Sequence, residues 1–351
     1  MQSAVKSQTG RVAPGAESFL PFITKAVNEN DLNIIQLAGD ASNRRYFRVA
    51  GVEHSWVLMV WEPFEDNSKY PFLSVLNHFA RSDIHVPKVI GKAPEQGLVL
   101  LEDLGDLTLE RRFWEAQDQK HALPLYEKAI DELVKIHYRA TQDKHECTAF
   151  QISFDVEKLL WEMNYGRTHL IEGMSAIQLK PEEIKELDKI FLHICETLHN
   201  QPKFICHRDY HSRNLMLKFD KMRVIDFQDA RMGPIHYDLV SLLKDSYVNL
   251  NDESSEHLLQ YYFNQRREAG FKDLERNQFN EIYEIQSIQR CFKACGSFSS
   301  FWNTRQDKRY LKYIRPTLQR VKKSLAQFPK YQAFSDILEG YGLMEKDFEA
   351  P

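Results

Sequence analysis

The chain has 351 residues, 43% of them apolar and 27% charged, with a formal net charge of -4, which is the composition of a soluble globular protein with room for two lobes. So balanced a charge argues against a partner held by wholesale neutralisation of phosphates, and nucleic acid is not expected. No stretch approaches the roughly eighteen apolar residues that a membrane span needs, and Cys147, Cys195, Cys206, Cys291 and Cys295 sit in apolar patterns without zinc-type pairing, as reduced thiols of a cytoplasmic protein would.

Residues 1–17 carry Ser, Gln, Gly and Pro with no apolar run, which predicts a flexible tail and neither signal peptide nor membrane anchor. Apolar runs split by Gly, Asp, Asn and Pro then predict strands over Leu32–Leu37, Tyr46–Val49, Trp56–Trp61, Val86–Ile90 and Leu98–Asp103. Phe72, Val75, Leu76 and Phe79 repeat at helical spacing, so one helix over Tyr70–Ser82 covers this sheet. After Gly105 the period is helical almost throughout, with Tyr126, Ile130, Leu133, Val134 and His137 on one face and Ile184, Leu187, Ile190, Phe191, Ile194 and Leu198 on another. The fold class is therefore α+β: residues 18–103 form a small sheet lobe, 104–107 a joint, and 108–351 a larger helical lobe. Ligand clefts form at such joints.

The exception to the helical pattern carries the chemistry. His207-Arg208-Asp209, then Asn214, then Asp226-Phe227 are bracketed by the short apolar runs Phe204–Cys206, Leu215–Leu217 and Met222–Ile225, which read as strands presenting polar residues at their ends. An Asp that can hold an incoming hydroxyl, an Asn oxygen and a second carboxylate in that order set up metal-dependent phosphoryl transfer, and hard oxygen donors suit Mg2+. Asp209 is the candidate base, and Asn214 and Asp226 are the candidate metal ligands. Asp238, which follows a Gly-Pro turn and opens the apolar run Leu239, Val240, Leu242, Leu243, stands where a helix-capping carboxylate would support the loop.

These residues resemble the aminoglycoside phosphotransferase superfamily, the small-molecule branch of the protein-kinase-like fold. His207–His211 with Asn214 is similar to its catalytic loop, Ile225–Gln228 to its metal strand, and Gly233-Pro234 with Tyr237-Asp238-Leu239 to the segment closing that site. Within the superfamily, Asp40-Ala41-Ser42, Arg44–Arg48, Leu100–Gly105, His207–Leu215, Asp226–Ala230, Gln289-Arg290 and Lys293 with Gly296 and Phe298 are similar to the bacterial N-acetylmuramate/N-acetylglucosamine anomeric kinases, across nearly the whole chain. The resemblance implies a bilobal fold, ATP and Mg2+, and an amino sugar phosphorylated on its anomeric hydroxyl. Another small-alcohol or aminoglycoside kinase is the nearest alternative, and a pseudokinase scaffold without turnover is a second.

The remaining candidates follow from position. His207 locks the catalytic loop, while His211 either lines the sugar site or packs against that loop. Asp229 either meets the sugar or is a solvated turn residue. The loop Gly39–Asn43, with Ser42, would roof the cleft and bring backbone amides to phosphate oxygens. Glu102 and Leu104 lie at the joint, where their backbone groups would read an adenine edge. The strand Val57–Val60 has no phosphate-binding Lys, and the helix after it has no Glu to pair with one. Arg44, Arg45 or Arg48 is expected to take that task, although alternation puts Arg44 and Arg48 on the face opposite Arg45. Finally, Ile282, Ile285, Ile288, Phe292 and Cys295 make an apolar stripe that leaves Arg290 and Lys293 as neighbours on the other face. The resemblance implies that this cationic pair meets the lactyl carboxylate of N-acetylmuramate, so that Arg290→Ala would lose that acceptor selectively.

Overall fold

A computed structural model describes residues 12–37, 44–67, 69–271 and 275–350. Ser42 and the rest of the expected roof loop lie outside the described residues, as does the tail up to residue 11.

The small lobe is a five-stranded antiparallel sheet in the order β1-β2-β3-β5-β4, with β1 Asn33–Gln36, β2 Arg45–Ala50, β3 Ser55–Val60, β4 Val89–Ala93 and β5 Leu98–Glu102. Side chains alternate across a strand, and here both faces are buried. Phe47, Val49, Leu58, Val60, Leu98 and Leu100 pack outward against Ile23 of α1 (Leu20–Val27). Met59, Val99 and Leu101 pack inward with Phe72, Val75, Leu76 and Phe79 of α2 (Pro71–Arg81). One helix was expected on this sheet and two are present. The tail reading also ends early, since Val12 bridges Ile34, the Ala13 amide donates to the Ile34 carbonyl at 2.9 Å and Ala16 is fully buried. The fourth strand begins later than its apolar run. Pro87 has no amide proton to donate, and the His85 backbone is already engaged by the Glu132 carboxylate and the Val224 amide, each at 2.8 Å.

The large lobe contains α3 Leu109–Glu115, α4 Gln119–Val134, α5 Val156–Gly166, α6 Pro181–His199, α7 His236–Leu243, α8 Asp252–Glu268, α9 Arg276–Arg305, α10 Ile314–Leu325 and α11 Gln332–Gly340. α9 runs through the middle of it, against α5, α6, α7 and α10. α5 and α9 meet closely where Gly166 and Gly296 face each other: a Cβ on Gly296 would stand 2.6 Å from the Gly166 Cα. On the side toward the small lobe lie two antiparallel pairs, β6 (Phe204–Cys206) with β9 (Arg231–Gly233), and β7 (Leu215–Lys218) with β8 (Lys221–Val224). Phe219 and Asp220 turn the β7–β8 hairpin with φ of 50° and 58°, the two left-handed residues that a tight hairpin of this hand requires. All five cysteines are buried and free. Among the described residues, no helix is long and apolar enough to cross a membrane.

The lobes are tied at their joint. Asp103 accepts the Gly105 amide at 2.8 Å and the Arg48 Nη2 at 3.1 Å, and Arg48 also reaches Asp106 at 2.9 Å. From the far lobe, Lys218 Nζ donates to the Asp103 carbonyl at 2.6 Å and pairs with Glu102 at 3.0 Å.

Candidate active site

The loop after β6 is held by one buried carboxylate. Asp238 is wholly shielded from solvent, and its two oxygens accept the amides of His207 at 2.7 Å and Arg208 at 2.9 Å. It caps no helix, in contrast to the sequence reading: α7 begins two residues earlier, and Asp238 in its first turn reaches sideways to the loop. These two bonds offset the strain of Arg208, whose φ of 84° is unusual for a residue with a side chain. His137, read from its spacing as one more face residue of α4, adds its Nε2 3.3 Å from Asp238. His207 sits with Nε2 2.9 Å from the Ile225 carbonyl, so its imidazole joins the catalytic loop to the strand end that carries Asp226.

Asn214 and Asp226 come together beside Asp209. The Asn214 amide nitrogen donates to the Asp209 carbonyl at 2.9 Å and lies 3.3 Å from Asp226 Oδ2, which fixes the side chain with its oxygen free. Asp226 is left-handed, with φ of 63°, and its Oδ1 accepts from Gln228 at 2.8 Å. Burial pushes its carboxyl above the usual range, and the neighbouring Asp209 charge adds to this against the Gln228 bond. A carboxylate and an amide oxygen, with the Asp209 carboxylate beside them, are hard oxygen donors that suit a divalent cation such as Mg2+. Arg213, between the two loop residues, stacks 3.6 Å from the Tyr247 ring and binds Glu110 through two contacts of 2.9 Å, which pins the loop to α3.

Asp209 opens onto a cavity of about 150 Å3 whose walls include His211, Tyr247, Arg290, Lys293 and Phe298. Burial would raise the Asp209 carboxyl, but Lys293, then Arg208 and Arg290, hold it far below the usual carboxylate range, so it is ionised. Arg290 lies 3.4 Å from Asp209 and donates from Nε to Ser241 at 3.0 Å. Burial, helped by Arg290, pushes the Lys293 ammonium down to about 8. The polar face of α9 therefore lines the cavity. His211 borders the same cavity with its ring edge on Tyr247 and its Nε2 3.5 Å from Asn214, and burial lowers its pKa. Asp229 does not line it: this half-exposed carboxylate pairs with Arg208 at 2.9 Å. Sequence reasoning missed Glu162, fully buried on α5 and accepting from Tyr237 at 3.1 Å and Gln289 at 2.9 Å. Its one available signal was its place on the apolar stripe of Leu159, Met163 and Gly166.

The three arginines of the small lobe part company. Arg44 faces the cleft, 5.2 Å over the Trp61 ring and against Tyr46. Arg48 is on the same face but committed to Asp103 and Asp106. Arg45 is excluded from the cleft, because it is exposed beyond the outer face and lies 5.8 Å over Phe47 of the outer core. Met59, fully buried, faces inward where the lysine was sought, and its register partners are Tyr46 and Val99. At the joint the Glu102 carboxylate is engaged by Lys218, and Leu104, two residues past the end of β5, has a buried side chain.

A sheet lobe joined to a helical lobe, with Asp209, Asn214 and Asp226 gathered on the far side of the joint, defines a kinase-like phosphotransferase, an enzyme acting on small-molecule alcohols. Residues 33–271 match the phosphotransferase enzyme family, and the chain belongs to it. It is similar to the N-acetylmuramate/N-acetylglucosamine kinase of Neisseria meningitidis serogroup B, 31% identical over 83% of this chain and 87% of that protein. The kinase of the same name from Pseudomonas putida is 28% identical over 86% of each chain. Among solved structures, ADP-bound aminoglycoside phosphotransferase APH(2'')-Ib superimposes with a TM-score of 0.57 at 16% identity, covering 88% of this chain and 98% of that one. Choline kinase from Cryptosporidium parvum gives 0.59 at 13% identity, covering 95% and 99%. These last two likenesses bear on the fold.

Proposed function

We propose that this enzyme transfers the γ-phosphoryl group of ATP to the anomeric hydroxyl of N-acetylmuramate and N-acetylglucosamine. The observation that carries the reading is the cavity in which Asp209, Arg290 and Lys293 meet, joined to the kinases of that name that the chain resembles over most of its length. Asp209, ionised and oriented by the held loop, accepts a hydrogen bond from the sugar hydroxyl. As the new oxygen–phosphorus bond forms and the bond to the ADP oxygen breaks, the proton passes to Asp209. Asn214 and Asp226 would hold Mg2+, which supplies positive charge against phosphate oxygens when bound. Arg44 is the small-lobe cation that would meet those oxygens, and the backbone at Glu102 and Leu104 would read the adenine edge. Lys293 and Arg290 give the cavity the charge to receive a lactyl carboxylate, while His211 and Tyr247 offer rings to the sugar.

A polycationic aminoglycoside suits this cavity poorly, since Arg290 and Lys293 line it, and the Asp245 carboxylate is used by the amides of Ser212 and Tyr247 at 2.8 Å each. A scaffold without turnover would have no need of a base and two metal ligands together. The test is ATP consumption with Mg2+ over a panel of amino sugars, aminoglycosides and choline, with the product identified by phosphorus NMR. Phosphate on the anomeric carbon is expected. Turnover confined to a cationic acceptor, or none with any, would overturn the proposal.

A further inference from the structure

The cleft face of the small lobe gathers three hydrogen-bond donors that the usual strand lysine does not explain. Tyr46 on β2 lies opposite Met59, so it shares the sheet face on which a lysine at that strand position would rise. Tyr70 precedes α2 and is fixed by stacking on Phe64, ring centroids 4.0 Å apart. Arg44 shares the strand face of Tyr46 and lowers the pKa of both phenols against burial, while Phe72, two residues after Tyr70, packs with its ring centroid 5.2 Å from that of Phe227, the residue next to Asp226. The three groups therefore lie over the metal end of the site. The Tyr70 hydroxyl and the Arg44 Nε are buried without a partner among the described residues. Such orphans cost free energy unless an acceptor meets them. Burial holds the Tyr46 phenol at about 12, so at neutral pH it is a donor as well. Donors converging above a carboxylate that suits a cation call for an acceptor with several anionic oxygens.

The geometry points to Tyr46 and Tyr70, acting with Arg44, as the group that grips the β- and γ-phosphates in place of a strand lysine. This rests on the ATP reading above. Arg44 supplies the charge, and the phenols supply two neutral donors whose rings are immobilised by packing.

Calorimetry on the full chain with Mg2+ compares ATP with AMP, which lacks the two outer phosphates. Tyr70→Phe and Tyr46→Phe each remove one oxygen, and each should weaken ATP about ten-fold, the worth of one hydrogen bond to a charged group, while AMP changes less than about two-fold. Thermal melts establish that each variant is folded, and either variant alone suffices to read the result. If ATP affinity is unchanged in both, or if ATP and AMP weaken equally, the phenols only pack and the assignment is overturned. Wild-type protein that binds neither nucleotide overturns the ATP reading itself, and this assignment with it.

Discussion

Arg290 on α9 places its Nη2 3.4 Å from Oδ1 of Asp209. With its Nε held by Ser241, this guanidinium belongs first to the surroundings of the base, and only then to the acceptor. Arg290→Ala is therefore expected to lower kcat with N-acetylmuramate and N-acetylglucosamine alike, by about ten- to a hundred-fold, the range for loss of a charged group that orients a base. Steady-state kinetics on both sugars decide it. Loss confined to N-acetylmuramate would restore the simpler view, taken from the resemblance, that Arg290 reads the carboxylate.

We propose that the larger share of that task falls to Lys293, which borders the cavity beside Arg290 and Asp209. Burial and Arg290 leave its ammonium at about 8. The charged form is present below that value and is lost as pH rises through it. The KM for N-acetylmuramate should climb above about pH 8 while that for N-acetylglucosamine stays flat, and Lys293→Met should raise the first selectively and abolish its climb. Parallel pH curves for the two sugars would remove Lys293 from recognition of the carboxylate.

For Asp209 itself, Asp209→Asn keeps the size and removes the proton acceptor. Turnover should fall by at least about a hundred-fold, with nucleotide affinity retained. Rapid-quench measurement of the chemical step, beside calorimetry with ATP, separates the two effects. Near-normal turnover would remove Asp209 from the mechanism.

How far the site could be read from the sequence depended on how local its parts are. His207, Asp209, Asn214 and Asp226 lie on short segments whose apolar brackets announce strands, so their convergence was readable from order and spacing. Arg45 was misassigned for a physical reason. Alternation correctly put it opposite Arg44, but which face meets the cleft depends on where α1 packs, and α1 is a short helix with the β-branched Ile23, Thr24 and Val27 that gave no clear periodic signal. With α1 and Ile23 covering Phe47, Arg45 had to point away from the cleft. Arg48 and Asp103 are 55 residues apart, and Gln289 and Glu162 are 127 apart. Pairings at such separations leave no trace in local pattern, which is why the clamp at the joint and the buried carboxylate behind the cavity were not anticipated.

Asp238 offers a test of the loop apart from chemistry. Asp238→Ala leaves the amides of His207 and Arg208 buried and unpaired and frees Arg208 from its strained backbone. A stability loss of about 2–4 kcal/mol is expected from two orphaned donors, together with a fall in kcat larger than the change in nucleotide affinity. Urea unfolding followed by fluorescence measures the first quantity. A variant as stable as the wild type would mean that the loop holds its shape without this carboxylate.

The crossing of α5 and α9 positions the helix that carries Arg290 and Lys293 into the cavity, and it can be tested with one methyl group. In Gly296→Ala the new carbon would meet the Gly166 Cα at 2.6 Å and its nitrogen at 2.9 Å. Both are backbone atoms, so the two helices must move apart. Overpacking of this kind costs about 1–3 kcal/mol. It should also raise the acceptor KM, because Arg290 and Lys293 ride on the same helix as Gly296, while ATP, bound chiefly from the other lobe, should keep its affinity. Gly340→Ala at the end of α11 is the matched control, since an added carbon there meets nothing within 4 Å. Removing glycine's freedom at such a position should leave stability level or raise it by up to about 1 kcal/mol. If Gly296→Ala melted like Gly340→Ala, the close approach would not be what positions the cationic wall of the cavity, and the length of the helices alone would have to account for it.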